Sequence, residues 1–339
     1  MVGESNLDKL RAVHSPHHDA SDLEPYDDVL IHVGKHKAAS SFLQLKLFPR
    51  LTPNLCTDLA IPKRLLADDF APDSFRNFVN DHLDKQVEVE YPEGADRQLI
   101  ISREALSTRT TPEVLDTMAR RLKQSYPDAR ILILIREQFD LIVTLYAWAT
   151  CKQHLRFTFQ QYARWVMAER PQLLLHHHAV EAYVRHFGLE QVSVIPFEQI
   201  RNGSDRFFRD VSQLVVADAD IEISKDRVNV TYKKESVIKA VIVVNTVLMP
   251  FLYMFIPLIR LVNNRLGDKY RQVLKTANRK YVAPLFDRIF VKSSDVQVDS
   301  RTRAELEPIF SRSNAVIEDL TKLNLAAYGY PTDNRPSSE

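Results

Sequence analysis

Apolar residues in this chain gather into short, nearly unbroken runs. Val29–Val33 (VLIHV), Gln98–Ser102 (QLIIS), Ala129–Ile135 (ARILILI) and Gln191–Ile195 (QVSVI) are each five to seven residues long and rich in β-branched and aliphatic side chains. Runs of that length with little polar alternation predict strands buried on both faces, as in a parallel sheet covered by helices. Between them the pattern changes to that of helices, over 41–48, 73–87, 112–125, 138–153, 159–169 and 173–187, with another over 301–323. Thr111-Pro112-Glu113 is a helix start with a cap-type residue, proline at the first helical position and an early acid, and Gly188 suits a helix end. Pro49 closes the first helix, and Pro53 and Pro62 mark an irregular link after it. Strands alternating with helices through short connections predict a doubly wound parallel α/β sheet. Ligands of such sheets bind beyond the carboxyl ends of the strands, where the loops at 34–40, 103–107 and 136–140 converge.

The expected organisation is a disordered polar arm over 1–28, an α/β core over 29–235, a mainly helical extension over 236–327 and a disordered tail over 328–339. The extension contains Ala240–Ile259 (AVIVVNTVLMPFLYMFIPLI), twenty residues without a charge and flanked by basic residues. That length meets the threshold for a membrane span, but Pro250, Pro257 and Asn245 interrupt it. A bent helix pair seated on a membrane surface, a hydrophobic dimer contact or a core element are the readings that compete with a span.

At 339 residues the chain is within reach of one α/β domain with helical additions, and 45% hydrophobic with 26% charged residues is ordinary for a globular protein. A net charge of +1 gives no overall field for nucleic acid, so an anion site has to come from local clustering. The two cysteines, Cys56 and Cys151, have no CxxC spacing. They offer neither a disulfide framework nor a thiolate zinc site and suit a reducing, cytoplasmic compartment. The arm lacks the apolar core of a signal peptide. Its histidines, His14, His17 and His18, read as part of a polar tail. His176-His177-His178 does not read as a metal site, because neighbouring helical positions point about 100° apart and three in a row cannot share one face.

The chemistry concentrates at Val29–Gln44, VLIHVGKHKAASSFLQ. A strand that feeds a helix through small residues leaves backbone N–H groups at the positive end of the helix dipole. Lys35 and Lys37 beside that end, with the hydroxyls of Ser40 and Ser41, make a site for a phosphate-like anion; the plain alternative is an ordinary βα connection. A nucleotide-hydrolase loop would read G-x-x-x-x-G-K-S/T, whereas here Lys37 precedes the small residues and Gly34 stands alone. A second element is Arg136 at the end of the 129–135 strand, with Thr144 eight residues on. An arginine and a hydroxyl on one face can clamp a second phosphate; the alternative is an arginine that caps a loop and a threonine bonded back within its helix.

The order Gly-x-x-Lys-x-small-Ser/Thr-Ser/Thr, with His36-Lys37-Ala38-Ala39-Ser40-Ser41-Phe42-Leu43-Gln44, resembles the 5′-phosphosulfate loop of sulfotransferases that use 3′-phosphoadenylyl sulfate (PAPS). ARILILIREQFDLIVTLYAWA resembles that family's 3′-phosphate motif. LIISREALS at 99–107 resembles its second-strand segment, and VSVIPFEQIRNGSDRFFRDV at 192–211 its later strand–turn segment. The four occur in the family's order over about 200 residues. The resemblance implies a P-loop NTPase-like α/β fold and transfer of a sulfuryl group from PAPS to a hydroxyl or amine acceptor, such as a carbohydrate or glycolipid. It implies donor binding by Lys37, Ala38, Ala39, Ser40, Ser41 and Phe42 at the 5′ end and by Arg136 and Thr144 at the 3′-phosphate. It gives Lys37 the role of stabilising the leaving group and makes Glu104 the general base, with His36 second, and it requires no metal. Ala39 stands where many members have glycine, so it either avoids positive φ or bears strain. An ATP-dependent phosphotransferase and an inactive membrane-associated scaffold are the rival readings.

Overall fold

The computed structural model describes residues 26, 28–83, 98–108, 111–153, 155–202, 204–214, 238 and 296–332. Residues 1–25 and 27 of the expected arm and the apolar stretch at 240–259 lie outside these residues, while Asp28 belongs to the first strand. Strands β1 (Asp28–Val33), β2 (Asn54–Cys56), β3 (Gln98–Ser102), β4 (Arg130–Ile135) and β5 (Val192–Pro196) form one sheet in the order β2-β3-β1-β4-β5. Every neighbouring pair is parallel. The sheet is flanked by helices α1 (Ser40–Phe42), α2 (Ile61–Leu65), α3 (Pro72–Leu83), α4 (Pro112–Ser125), α5 (Gln138–Gln153), α6 (Phe159–Glu169), α7 (His177–Phe187), α8 (Glu198–Asn202), α9 (Ser204–Ser212) and α10 (Ser300–Thr321). This is the α/β architecture that the unbroken apolar runs imply.

The runs are unbroken because both faces of the sheet are covered. Ile31 and Val33 pack with Leu99, Ile101, Ile131, Ile133 and Ile135 on one face, beneath α3, α4 and α7. Leu30 packs with Ile100, Leu132, Leu134 and Ile195 on the other, against Leu43, Leu47, Phe48 and Phe207. Successive side chains point to opposite faces, so a strand buried on both sides shows no apolar–polar alternation, and the buried polar residues His32 of β1 and Ser102 of β3 bond to one another. The central strand β1 lies between β3 and β4, with Ile31 opposite both Ile101 and Ile131. Its carboxyl end is where the strand order reverses, the usual place for a ligand in an open α/β sheet.

Three local features depart from the pattern. Asn54–Cys56 is a strand inside the link expected to be irregular; three residues next to Pro53 are too short to show a period. The expected first helix is three successive turns of different pitch: α1, a wider i→i+5 turn over Leu43–Leu47 and a tighter i→i+3 turn over Phe48–Arg50 that includes Pro49. Helix α7 starts at His177 rather than near Leu173, after a separate turn over Pro171–Leu173. Among the described residues no helix is long and apolar enough to cross a membrane.

Residues 330–332, expected within the tail, are buried in the core. Tyr330 is fully buried, and its hydroxyl donates to Glu198 Oε2 at 2.8 Å. Asn314 of α10 donates to the Gln138 side chain at 3.2 Å and to the Pro331 carbonyl at 2.8 Å. Glu198 uses its other oxygen to accept the Glu137 N–H at 3.0 Å, just after β4. Burial pushes the Glu198 carboxyl above its ordinary value, so its hydrogen-bond donors matter to its ionised form. Tyr330→Phe removes one of those donors and leaves a buried oxygen unsatisfied. We expect a loss of about 1–3 kcal/mol in urea unfolding; an unchanged midpoint would show that the bond contributes nothing.

Candidate active site

Strand β1 runs directly into Gly34. A Cβ built there would lie 2.6 Å from Ser40 Oγ, 3.0 Å from His32 Cε1 and 3.3 Å from Glu104 Cγ. Glycine is needed at this position for close approach, since only a missing side chain lets the loop, the first turn of α1 and the end of β3 meet. The loop then turns through two left-handed residues, Lys37 at φ 63° and Ala39 at φ 62°. Ala39 therefore bears the strain, about 1–2 kcal/mol for an L-residue. It is also the N-cap residue of α1, and no side chain caps the turn. The N–H groups of Ser40 and Ser41 begin the helix without an intrahelical acceptor, as first-turn groups must. Phe42 N–H is already bonded to the Ala39 carbonyl at 2.8 Å, and Ala38 N–H to the Lys35 carbonyl at 3.3 Å. The Ala38 side chain is fully buried in the core, and Phe42 packs on Phe208.

The two lysines take different directions. Lys35 is fully buried, with Nζ donating to the Ser107 carbonyl at 3.1 Å and the Gln172 carbonyl at 3.0 Å. Burial pushes its amine down to about 7. Lys35 thus braces the loop from behind, and Ser40 does the same by donating to the Lys35 carbonyl at 3.3 Å. The Lys35 amine and the Ser40 hydroxyl are thus both turned onto carbonyls of the protein itself. Lys37 lies over the indole of Trp148 on α5, with Nζ 4.8 Å from the ring centroid. A cation over an aromatic face is held without losing its charge.

His36 and Glu104 meet directly: His36 Nδ1 lies 2.7 Å from Glu104 Oε2, with both side chains about a quarter exposed. Burial raises the Glu104 carboxyl, but the hydrogen bond and charge of His36, with Ser40 and His32, together hold it below the usual glutamate value. An ionised Glu104 can only accept, so the hydrogen between the two lies on His36 Nδ1. Nε2 is buried and has no hydrogen-bond partner among the described residues. Beneath the pair, His32 Nδ1 lies 2.7 Å from Ser102 Oγ, and Gln44 donates to Ser102 Oγ at 3.0 Å. Burial lowers His32 to about 4, which keeps it neutral. The partner of Glu104 is thus His36, from the loop after the neighbouring strand β1.

Arg136 closes β4 and is mostly buried. Its Nε donates to Asp140 Oδ2 at 2.8 Å, Nη2 pairs with the same carboxylate, and Nη1 donates to the Lys37 carbonyl at 2.6 Å. The guanidinium also stacks over Phe197, 4.6 Å from its centroid. These bonds use three of its five N–H groups and leave two. Thr144 is buried and donates to the Asp140 carbonyl at 2.8 Å, four residues back in its own helix. The local roles weighed for this pair, a loop-capping arginine and a back-bonded threonine, are both present in the structure. Sequence reasoning missed Trp148, because an aromatic inside a helix carries no signal until the fold places it.

The histidine run divides. His176 is fully buried, with Nε2 2.7 Å from the Arg136 carbonyl, and burial lowers it to about 3. Only His177 and His178 remain half-buried at the start of α7.

No protein-family model matches the chain, and no curated protein matches it in sequence. A sulfotransferase from Alicyclobacillus acidocaldarius aligns in structure with a TM-score of 0.50 at 16% identity, over 90% of this chain and 99% of that one. A mouse sulfotransferase complexed with PAP aligns with a TM-score of 0.37 at 11% identity, over 65% of each chain. The first of these likenesses shows the fold: a parallel sheet flanked by helices that matches the sulfotransferase P-loop-like α/β fold.

Opposite substitutions separate the two backbone constraints of the loop. Gly34→Ala forces Ser40, His32 or Glu104 to shift and should cost about 1–3 kcal/mol. Ala39→Gly relieves the left-handed strain and should be neutral or stabilising by up to about 1 kcal/mol. Chemical denaturation of both variants checks this, and a harmless Gly34→Ala would disprove the close approach.

Proposed function

We propose that this chain is a sulfotransferase that moves the sulfuryl group of PAPS to a hydroxyl or amine acceptor, of which a carbohydrate or glycolipid is the best candidate. The observation that carries the reading is the His36–Glu104 pair at the lip of the loop that presents Lys37. PAPS would supply an activated sulfuryl group on its 5′-phosphate and a 3′-phosphate that distinguishes it from ordinary adenine nucleotides. The first-turn N–H groups of Ser40 and Ser41 and the Ser41 hydroxyl would receive the 5′ end. Lys37 would leave the face of Trp148 to lie against the leaving oxygen, where charge grows in the transition state.

The pair divides the work of proton removal. Glu104 fixes the His36 ring through Nδ1, and Nε2 takes the proton of the acceptor as it attacks. Glu104 then offsets the charge on the imidazolium, the logic of an oriented histidine base. This reverses the order expected from the family resemblance, in which Glu104 is the base and His36 second; a carboxylate already bonded to an imidazole is better placed to orient than to abstract. Arg136 would hold the 3′-phosphate with its two remaining N–H groups while its bond to the Lys37 carbonyl fixes the loop. Thr144 would have to turn its proton from the Asp140 carbonyl to assist. An ATP-dependent phosphotransferase is less favoured, because it needs an acid for magnesium at a strand end. Here β4 ends in Arg136, and the acid after β3, Glu104, is committed to His36.

Two measurements test this reading. Adenosine 3′,5′-bisphosphate at about 100 times its dissociation constant should stabilise the protein by roughly 2.7 kcal/mol in a thermal shift, beyond 5′-AMP or ADP. Arg136→Ala should abolish that preference. Stabilisation by ATP with magnesium alone would favour the phosphotransferase, and no shift with any nucleotide would favour the scaffold. In a sulfation assay on a set of hydroxyl acceptors, His36→Ala and Glu104→Gln should each lower kcat by about 10²–10⁴-fold while the bisphosphate shift survives. A fully active His36→Ala would return the role of base to Glu104.

A further inference from the structure

His177, His178 and Glu181 are three half-buried groups on one side of α7. One ligand atom from each lies within 4.8 Å of the other two. Their spacing explains this: Glu181 is four residues after His177 and three after His178, and both separations return to the same side of a helix. The two rings lie together with centroids 4.0 Å apart. His177 is already oriented from outside its own helix, with Nδ1 2.8 Å from Ser313 Oγ of α10. A polar group on the second ring nitrogen is the usual means of fixing a histidine ligand. Adjacent helical residues do point apart, and that argument holds for His176, which turns inward to the Arg136 carbonyl. It does not separate the other two, whose side chains converge over Glu181.

We infer that His177, His178 and Glu181 form a binding site for a divalent transition-metal ion, with zinc as the expected occupant. Two imidazole nitrogens and one carboxylate oxygen are a zinc-type set of three protein ligands, with a fourth position open to water. Imidazole donors disfavour magnesium and calcium, which prefer oxygen, so the site discriminates against those ions. The charges facing it are Glu181 and, from α4, Glu113, both of which interact with His178; the buried Lys35 opposes them. The ion would close the first turn of α7. That turn follows His176, which holds the Arg136 carbonyl, and Gln172, which receives Lys35. Its role is therefore structural, behind the loop, and the inference stands apart from the proposed sulfuryl transfer.

The test uses the full-length, untagged protein carrying His14→Ala, His17→Ala and His18→Ala, so that the arm's histidines cannot contribute. After treatment with chelator, isothermal titration with zinc chloride should give one site per chain, and magnesium chloride should give none. His178→Ala and Glu181→Gln, each keeping the parent melting temperature without metal, should weaken zinc binding by roughly tenfold or more. Cobalt(II) should give a visible absorption band in the parent that is lost in His178→Ala. Absence of a stoichiometric site in the parent, or equal affinity in His178→Ala, would overturn the inference.

Discussion

The site rests on a side chain that is missing. With no Cβ at Gly34, the end of β1 comes close enough to the end of β3 for Ser40, His32 and Glu104 to lie around one backbone position. The Gly34 carbonyl receives Ser107 Oγ at 2.6 Å, and the Ser107 carbonyl receives Lys35. The loop is thereby fixed to the residues that follow β3 from both sides. His36 reaches Glu104 across that narrow gap, so their contact depends on the packing around Gly34 as well as on the two residues themselves. Such polar networks hold a geometry well only when nearly every member is satisfied. Among the described residues, Nε2 of His36 and Nε2 of His32 are the exceptions in this network, buried without a hydrogen-bond partner.

Arg136 links the two halves of the site. It ends the buried strand β4, anchors to Asp140 and reaches across to the Lys37 carbonyl. The left-handed conformation at Lys37 puts that carbonyl within reach and brings the lysine side chain over Trp148. An arginine placed in this way has structural and ligand-binding capacity together, because its five donors lie in a rigid fork. The two roles do not compete for the same N–H groups.

Much of this was legible in the sequence, and the limits have physical causes. The four longer strands show themselves as apolar runs because burial on both faces removes alternation, and α4 begins where its cap-type residue and proline place it. The strand at Asn54–Cys56 is too short to have a period. The approach of Lys37, Ser41, Glu104 and Arg136 to one sheet edge follows from strand order and is readable once the loops are known. Which atoms face a ligand is not. Lys35 and Lys37 look alike on paper, and only the fold sends one inward to two carbonyls and the other onto an indole. Ala39 was marked as strained or exempt by its place in the motif, and its φ of 62° decides for strain.

Tyr330 gives the chain a temporal order. The residues that shape the loop after β4 include Glu198, which holds Glu137 N–H with one oxygen and receives Tyr330 with the other. Chains emerge from the ribosome from the N-terminus at roughly 5–20 residues per second, and early segments can fold as they appear. The central strand β1 must wait for β3 and β4, and the turn beside Arg136 must wait longer still, for a tyrosine almost two hundred residues after β4. A nascent chain can therefore have its sheet assembled while the arginine side of the site is still incomplete. Until residue 330 is free to dock, Glu198 lacks the buried hydroxyl that it accepts in the complete fold.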